Sequence, residues 1–169
     1  MTEICLDLWV LDENYNREKD RQMELKQLNT ILLIEDNEDH IEHTLDALNE
    51  VGLVKDIQVV SDGEEAIDYL FRQGKYVKPE NSPRPDLILL DVKLPKISGF
   101  EILKSIKNDP ELKVIPVILL TTTGKKEDID KGARLGTNDY IIKPVEYEIF
   151  IQKVKGLGKY WALISNLTT

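Results

Sequence analysis

From residue 30 onward, short apolar runs alternate with segments of helical period. ILLI (31–34), DIQVV (56–60), LILLD (87–91), VIPVILLT (114–121) and DYIIK (139–143) are nearly all apolar, the pattern of strands buried on both faces. After the first run, Asn37 is placed to cap a helix whose Ile41, Leu45 and Leu48 recur at i, i+4 and i+7, with Gly52 marking its end. Residues 61–74 open on Ser61-Asp62 capping chemistry and turn Ile67, Leu70 and Phe71 inward. Residues 98–110 turn Ile102, Leu103 and Ile106 inward and stop at Asp109-Pro110. A fourth helix is predicted over 126–136 and a fifth over 145–164, with Gly156 and Gly158 weakening its end. KYVKPENSPRP (75–85), with three prolines, predicts an extended surface loop without regular structure.

Strand and helix in strict alternation imply an α/β fold, a parallel sheet covered by helices on both faces. Right-handed crossovers favour a doubly wound five-stranded sheet in the order 2-1-3-4-5. Residues 1–29 are polar and charge-mixed and predict an appendage, a short solvated helix or disorder, and Met23 is an alternative start. The expected division is therefore an extension over 1–29, a domain over 30–165 and a tail over 166–169.

Ligands of such sheets bind outside the carboxyl ends of the strands. Those ends carry Glu35-Asp36, Asp91, Thr121 and Lys143. Three converging carboxylates repel, by roughly 4 kcal/mol for two charges about 4 Å apart at an effective dielectric near 20. A cation is therefore required, and an oxygen-only ligand set favours Mg²⁺ over zinc. Lys143 adds a positive point charge suited to a phosphate oxygen.

Composition narrows the field. With 22 basic against 31 acidic residues, the chain carries a formal charge of -9 and repels nucleic acid. The Lys125, Lys126 and Lys131 cluster is diluted by Glu127, Asp128 and Asp130. No apolar run approaches the roughly 18 to 20 residues of a membrane span, and no secretory signal opens the chain. The single cysteine, Cys5, fits a reducing, cytoplasmic setting. His40 and His43, three apart on a polar helix face near Asp39, are read as solvated rather than metal-ligating, with His43 or its neighbours close enough to the active edge to touch a kinase helix.

ILLIEDN, LILLDVKLPKISG, PVILLTTT and DYIIKP together resemble the receiver domain of two-component response regulators, over about residues 30–155. That resemblance implies a CheY-like, flavodoxin-like sheet and a stand-alone response regulator that takes a phosphoryl group from a sensor histidine kinase. Asp91 resembles the phospho-acceptor. Glu35 and Asp36 resemble the acidic pair that holds Mg²⁺, with the backbone carbonyl of Lys93 as a further ligand. Thr121 resembles the hydroxyl that bonds the phosphoryl group, Lys143 the lysine that pairs with it, and Tyr140 the aromatic switch. A cis Lys143–Pro144 bond is implied as well, as is slow self-dephosphorylation. Glu35-Asp36 departs from the commoner Asp-Asp pair but keeps both carboxylates.

The proline-rich loop and the closing GLGKYWALISN are similar to small regulators that partner phytochrome kinases, which implies a phytochrome-like kinase. Output is expected through protein contacts on the fourth helix, fifth strand and fifth helix, and the same resemblance implies pairing of two copies there, with Tyr160 and Trp161 at the end of the fifth helix. Two rival functions stay open: a phosphate-independent pseudo-receiver scaffold, and a Mg²⁺-dependent aspartyl-phosphate hydrolase. The hydrolase pattern wants an Asp two positions past the nucleophile, where this chain has Lys93.

Overall fold

The computed structural model describes residues 28–52 and 54–156. Five strands, β1 (Leu28–Ile34), β2 (Val54–Val60), β3 (Leu87–Asp91), β4 (Val117–Thr121) and β5 (Asp139–Ile142), form one parallel sheet in the order β2-β1-β3-β4-β5. The helices between them are α1 (Glu38–Val51), α2 (Gly63–Phe71), α3 (Gly99–Asn108) and α4 (Lys126–Leu135), followed by α5 over 147–156.

Because side chains alternate across a strand, each central strand feeds two cores. Leu32, Ile34, Ile88, Leu90 and Leu119 meet α2 and α3 through Ala66, Leu70, Ile102, Leu103 and Ile106. Ile31, Leu33, Leu87, Leu89, Ile118 and Leu120 face the other way and meet Leu48 of α1 and Phe150 and Val154 of α5. All five residues of β3 and of β4 are buried, which explains why their sequences lack polar alternation.

The expected caps form. The Asn37 side chain accepts from the His40 N–H, and Gly52 closes α1 in the left-handed conformation with φ 65°. Asp62 caps α2, and Ser98 and Glu101 make a reciprocal capping box on α3.

Several boundaries differ from expectation. β1 begins at Leu28 rather than beyond residue 30, and the Asn29 N–H donates to Asp86 Oδ2 at 2.8 Å. β4 begins only at Val117, because Pro116 has no N–H for the ladder; its carbonyl accepts from the Ile88 N–H at 3.0 Å. α2 ends at Phe71, capped by Arg72 with φ 54°.

The stretch 75–85 is also not extended. It carries two 3₁₀ turns, at Gly74–Tyr76 and Pro79–Asn81. The Tyr69 hydroxyl donates to the Pro83 carbonyl at 2.7 Å, the fully buried Ser82 hydroxyl donates to the Tyr76 carbonyl at 3.0 Å, and Tyr76 packs edge-on to Tyr69 at 5.1 Å. Prolines exclude long helices and strands, but not single turns tied down by side chains. The expectations for Cys5, Met23, Gly158, Tyr160 and Trp161 fall outside the described residues.

Candidate functional site

Parallel register sets the site. Ile34 lies beside Leu90, Asp91 beside Leu120, and Thr121 beside Ile142, so the residues at the strand tips are lateral neighbours. Glu35 follows β1 directly, fully buried, with its N–H donating to the Val60 carbonyl at 3.1 Å. Asp36 is exposed beside it. Asp91, the last residue of β3, is buried. One carboxylate oxygen from each of Glu35, Asp36 and Asp91 lies within 4.8 Å of the others.

The β3 tip is held from below by α3. Gly99 begins that helix with its N–H donating to the Val92 carbonyl at 3.0 Å, and a Cβ there would overlap the Asp91 backbone carbonyl. A glycine is thus required for close approach rather than for an unusual φ.

Lys143 follows β5, its N–H donating to the Thr121 carbonyl at 2.7 Å and its peptide bond to Pro144 cis. Its side chain is 5% exposed. Nζ donates to Glu35 Oε2 at 2.6 Å and lies 3.2 Å from Asp91 Oδ1 and 3.0 Å from His40 Nδ1. Three carboxylates against one ammonium leave a formal -2, the complement of a divalent cation, and the donors are all hard oxygens. The residues present therefore fit Mg²⁺.

Burial and the neighbouring Glu35 charge push the Asp91 carboxyl up to about 6, while Lys143 and the Lys93 N–H, 3.3 Å from Oδ1, oppose the shift. Taking one charge of a pair out of water disfavours its ionised form.

Thr121 is adjacent but differently engaged. Its hydroxyl donates to the Thr123 carbonyl at 2.7 Å and accepts from the Thr123 N–H at 3.3 Å. Tyr140 is half-buried and lines a small void of about 10 Å³ with Val92, Leu119, Thr121, Asp128, Ile129 and Thr137. Lys153 Nζ sits 4.9 Å from the Tyr140 ring centroid and 2.8 Å from Asp139 Oδ1, tying α5 to β5.

His40 corrects an expectation. Its polar-face position predicts a solvated ring, yet that ring reaches Lys143 and lies 3.6 Å from Glu35 Oε1. The sequence does hold a signal for this: His40 lies in the first turn of the helix that leaves the β1 tip, and helical side chains lean toward the N-terminus. His43, one turn on, is exposed and lines a cavity of about 320 Å³ with Asp39, His40, Thr44, Thr122, Lys143, Pro144 and Val145.

Comparison with known proteins gives the family. The response regulator receiver domain matches residues 31–155. The chain belongs to the response regulator receiver family. Response regulator Rcp1 of Synechocystis sp. is 37% identical to this receiver over 131 residues, 78% of this chain and 87% of its own. A solved manganese-bound form of Rcp1 covers 79% of this chain and 94% of its own, with a TM-score of 0.65. The phosphorylated cyanobacterial phytochrome response regulator RcpA is 41% identical, with 79% and 94% covered and a TM-score of 0.66. The bacteriophytochrome response regulator RtBRR is also 41% identical, with 78% of each chain covered and a TM-score of 0.71.

The receiver is thus a two-component signalling protein with phytochrome-associated relatives, and its sheet order is the flavodoxin-like one. Among the described residues, no helix is long and apolar enough to cross a membrane.

Proposed function

We propose that this receiver takes a phosphoryl group on Asp91 from a phosphohistidine of a sensor histidine kinase, in a Mg²⁺-dependent transfer. The observation that carries the proposal is the buried Asp91 carboxylate, bridged by Lys143 to Glu35 with Asp36 alongside. The carboxylates of Glu35, Asp36 and Asp91, with the Lys93 backbone carbonyl, would hold Mg²⁺. When bound, Mg²⁺ supplies positive charge for the phosphoryl oxygens.

The chain's own residues do the rest. An Asp91 carboxylate oxygen attacks phosphorus; the new P–O bond forms as the P–N bond breaks, and its electron pair returns to the imidazole nitrogen, which takes up a proton. Lys143, already 3.2 Å from Asp91, turns one N–H to a phosphoryl oxygen. Thr121 exchanges its Thr123 partner for the phosphoryl group, and the space it leaves admits the Tyr140 ring. A water reaching the acyl phosphate gives slow self-dephosphorylation, not turnover of external substrates.

Output passes through protein contacts on α4, β5 and α5, where Ile142, Tyr147 and Ile149 are exposed. The same surface is suited to pairing two copies. The phytochrome-associated relatives support a phytochrome-like kinase as the donor's source.

The test is labelling with phosphorus-labelled acetyl phosphate, with and without Mg²⁺. Wild type takes label only with Mg²⁺, and Asp91→Asn takes none. Equal labelling of both overturns the assignment, and absence of label in wild type favours the pseudo-receiver scaffold.

A further inference from the structure

We infer that His40 is a positioning residue that holds Lys143 for phosphoryl transfer by accepting one of its three ammonium hydrogens. The inference rests on the phospho-acceptor reading of Asp91.

A lysine ammonium has three donors and no acceptor. Here they face Glu35 Oε2 at 2.6 Å, His40 Nδ1 at 3.0 Å and Asp91 Oδ1 at 3.2 Å. Since the donor is an ammonium, Nδ1 must offer its lone pair, which assigns the ring proton to Nε2. In that tautomer the 3.6 Å approach of Nδ1 to Glu35 Oε1 is neither an ion pair nor a hydrogen bond.

The chemistry of this third partner differs from that of the other two. Glu35 and Asp91 carry charge and belong to the metal set; an imidazole lone pair orients the ammonium without adding a negative charge where an anionic phosphoryl group must arrive. When Asp91 is modified, its share of the ammonium passes to a phosphoryl oxygen, while Glu35 and His40 keep Nζ in place. The His40 backbone is itself fixed, since its N–H donates to the Asn37 cap at 3.0 Å. The ring is 36% exposed, so it can be replaced without opening the core.

The experiment compares wild type, His40→Ala and His40→Asn, whose side-chain oxygen lies near the place of Nδ1, with Asp91→Asn as the unlabelled control. Phosphorylation by acetyl phosphate is timed at saturating Mg²⁺. His40→Ala slows it about three- to tenfold, the scale of one net hydrogen bond, while His40→Asn stays within about twofold of wild type. Mg²⁺ affinity, read by titration, changes less than about twofold in either variant. Nitrogen NMR of the metal-free protein finds the His40 proton on Nε2.

An unchanged rate in His40→Ala overturns the inference, as does equal impairment in His40→Asn or a proton on Nδ1. Loss of Mg²⁺ affinity in His40→Ala overturns it by making His40 part of metal binding. If wild type takes no label at all, the phospho-acceptor reading fails first and this one with it.

Discussion

Lys143 Nζ lies 2.6 Å from Glu35 Oε2, joining the tip of β5 to the tip of β1 across a sheet in which neither strand touches the other. Both side chains are buried, so this pair and Asp91 behave as one electrostatic unit. Removing one partner of a buried pair leaves the other uncompensated.

Lys143→Met should therefore cost about 3 kcal/mol of unfolding free energy at pH 8 without divalent metal. The loss should shrink in acid, as the Asp91 carboxylate takes up its proton. Mg²⁺ should stabilise the variant more than wild type, because it replaces the missing charge. Urea unfolding at pH 5 and pH 8, with and without Mg²⁺, checks all three.

Asp91 has the opposite sign from an ordinary paired carboxylate. Its folded value is pushed up to about 6 from the ordinary 3.8, so between those pH values the folded state holds a proton that the unfolded chain has lost. Stability from this group is fully present below about pH 4 and falls by about 3 kcal/mol as pH rises through about 6. Metal-free Asp91→Asn should thus be more stable than wild type at pH 7.5, by up to that amount, and the gap should close near pH 4. A gap independent of pH would contradict this.

The same shift predicts metal competition with a proton. If Asp91 is a ligand as proposed, Mg²⁺ affinity of wild type should weaken as pH falls below about 6, because the metal then competes with the Asp91 proton. Titration calorimetry at pH 5 and pH 7.5 in buffers of different ionisation enthalpy would find proton release at the lower pH only.

Gly99→Ala tests how Asp91 is mounted. The added methyl falls on the Asp91 backbone carbonyl, which cannot swing aside as a side chain could. A cost of about 2 kcal/mol or more is expected, together with slower phosphorylation.

Tyr69→Phe tests the folded loop. The Pro83 carbonyl loses its donor, at a cost of about 1 to 2 kcal/mol. Proteolysis between residues 75 and 85 should accelerate, whereas an untethered loop would be cut equally fast in both proteins.

The strands, their order and the convergence of Glu35, Asp36, Asp91 and Lys143 were legible because buried parallel strands write long apolar runs and end on the residues they present. Strand starts are less legible: Leu28 pairs with Val54 of β2 and the Asn29 N–H donates to Asp86, long-range partners invisible to local pattern. The turns of the 75–85 segment are not legible in the sequence, because its prolines signal irregularity without revealing Tyr69, Tyr76 and Ser82 as tethers. The reach of His40 to Lys143 is not legible, because periodicity places it on a polar face. Whether a polar face looks onto water or onto an active edge depends on which strand tip it overhangs.

Locating the phosphoryl group tests the assignment of Asp91 most directly. After incubation with acetyl phosphate and Mg²⁺, borohydride reduction converts an aspartyl phosphate to homoserine, and peptide mass spectrometry reads its position. Homoserine is expected at position 91 alone, and only when Mg²⁺ was present. Homoserine at Asp36 or elsewhere, or unreduced Asp91 in labelled protein, would contradict it.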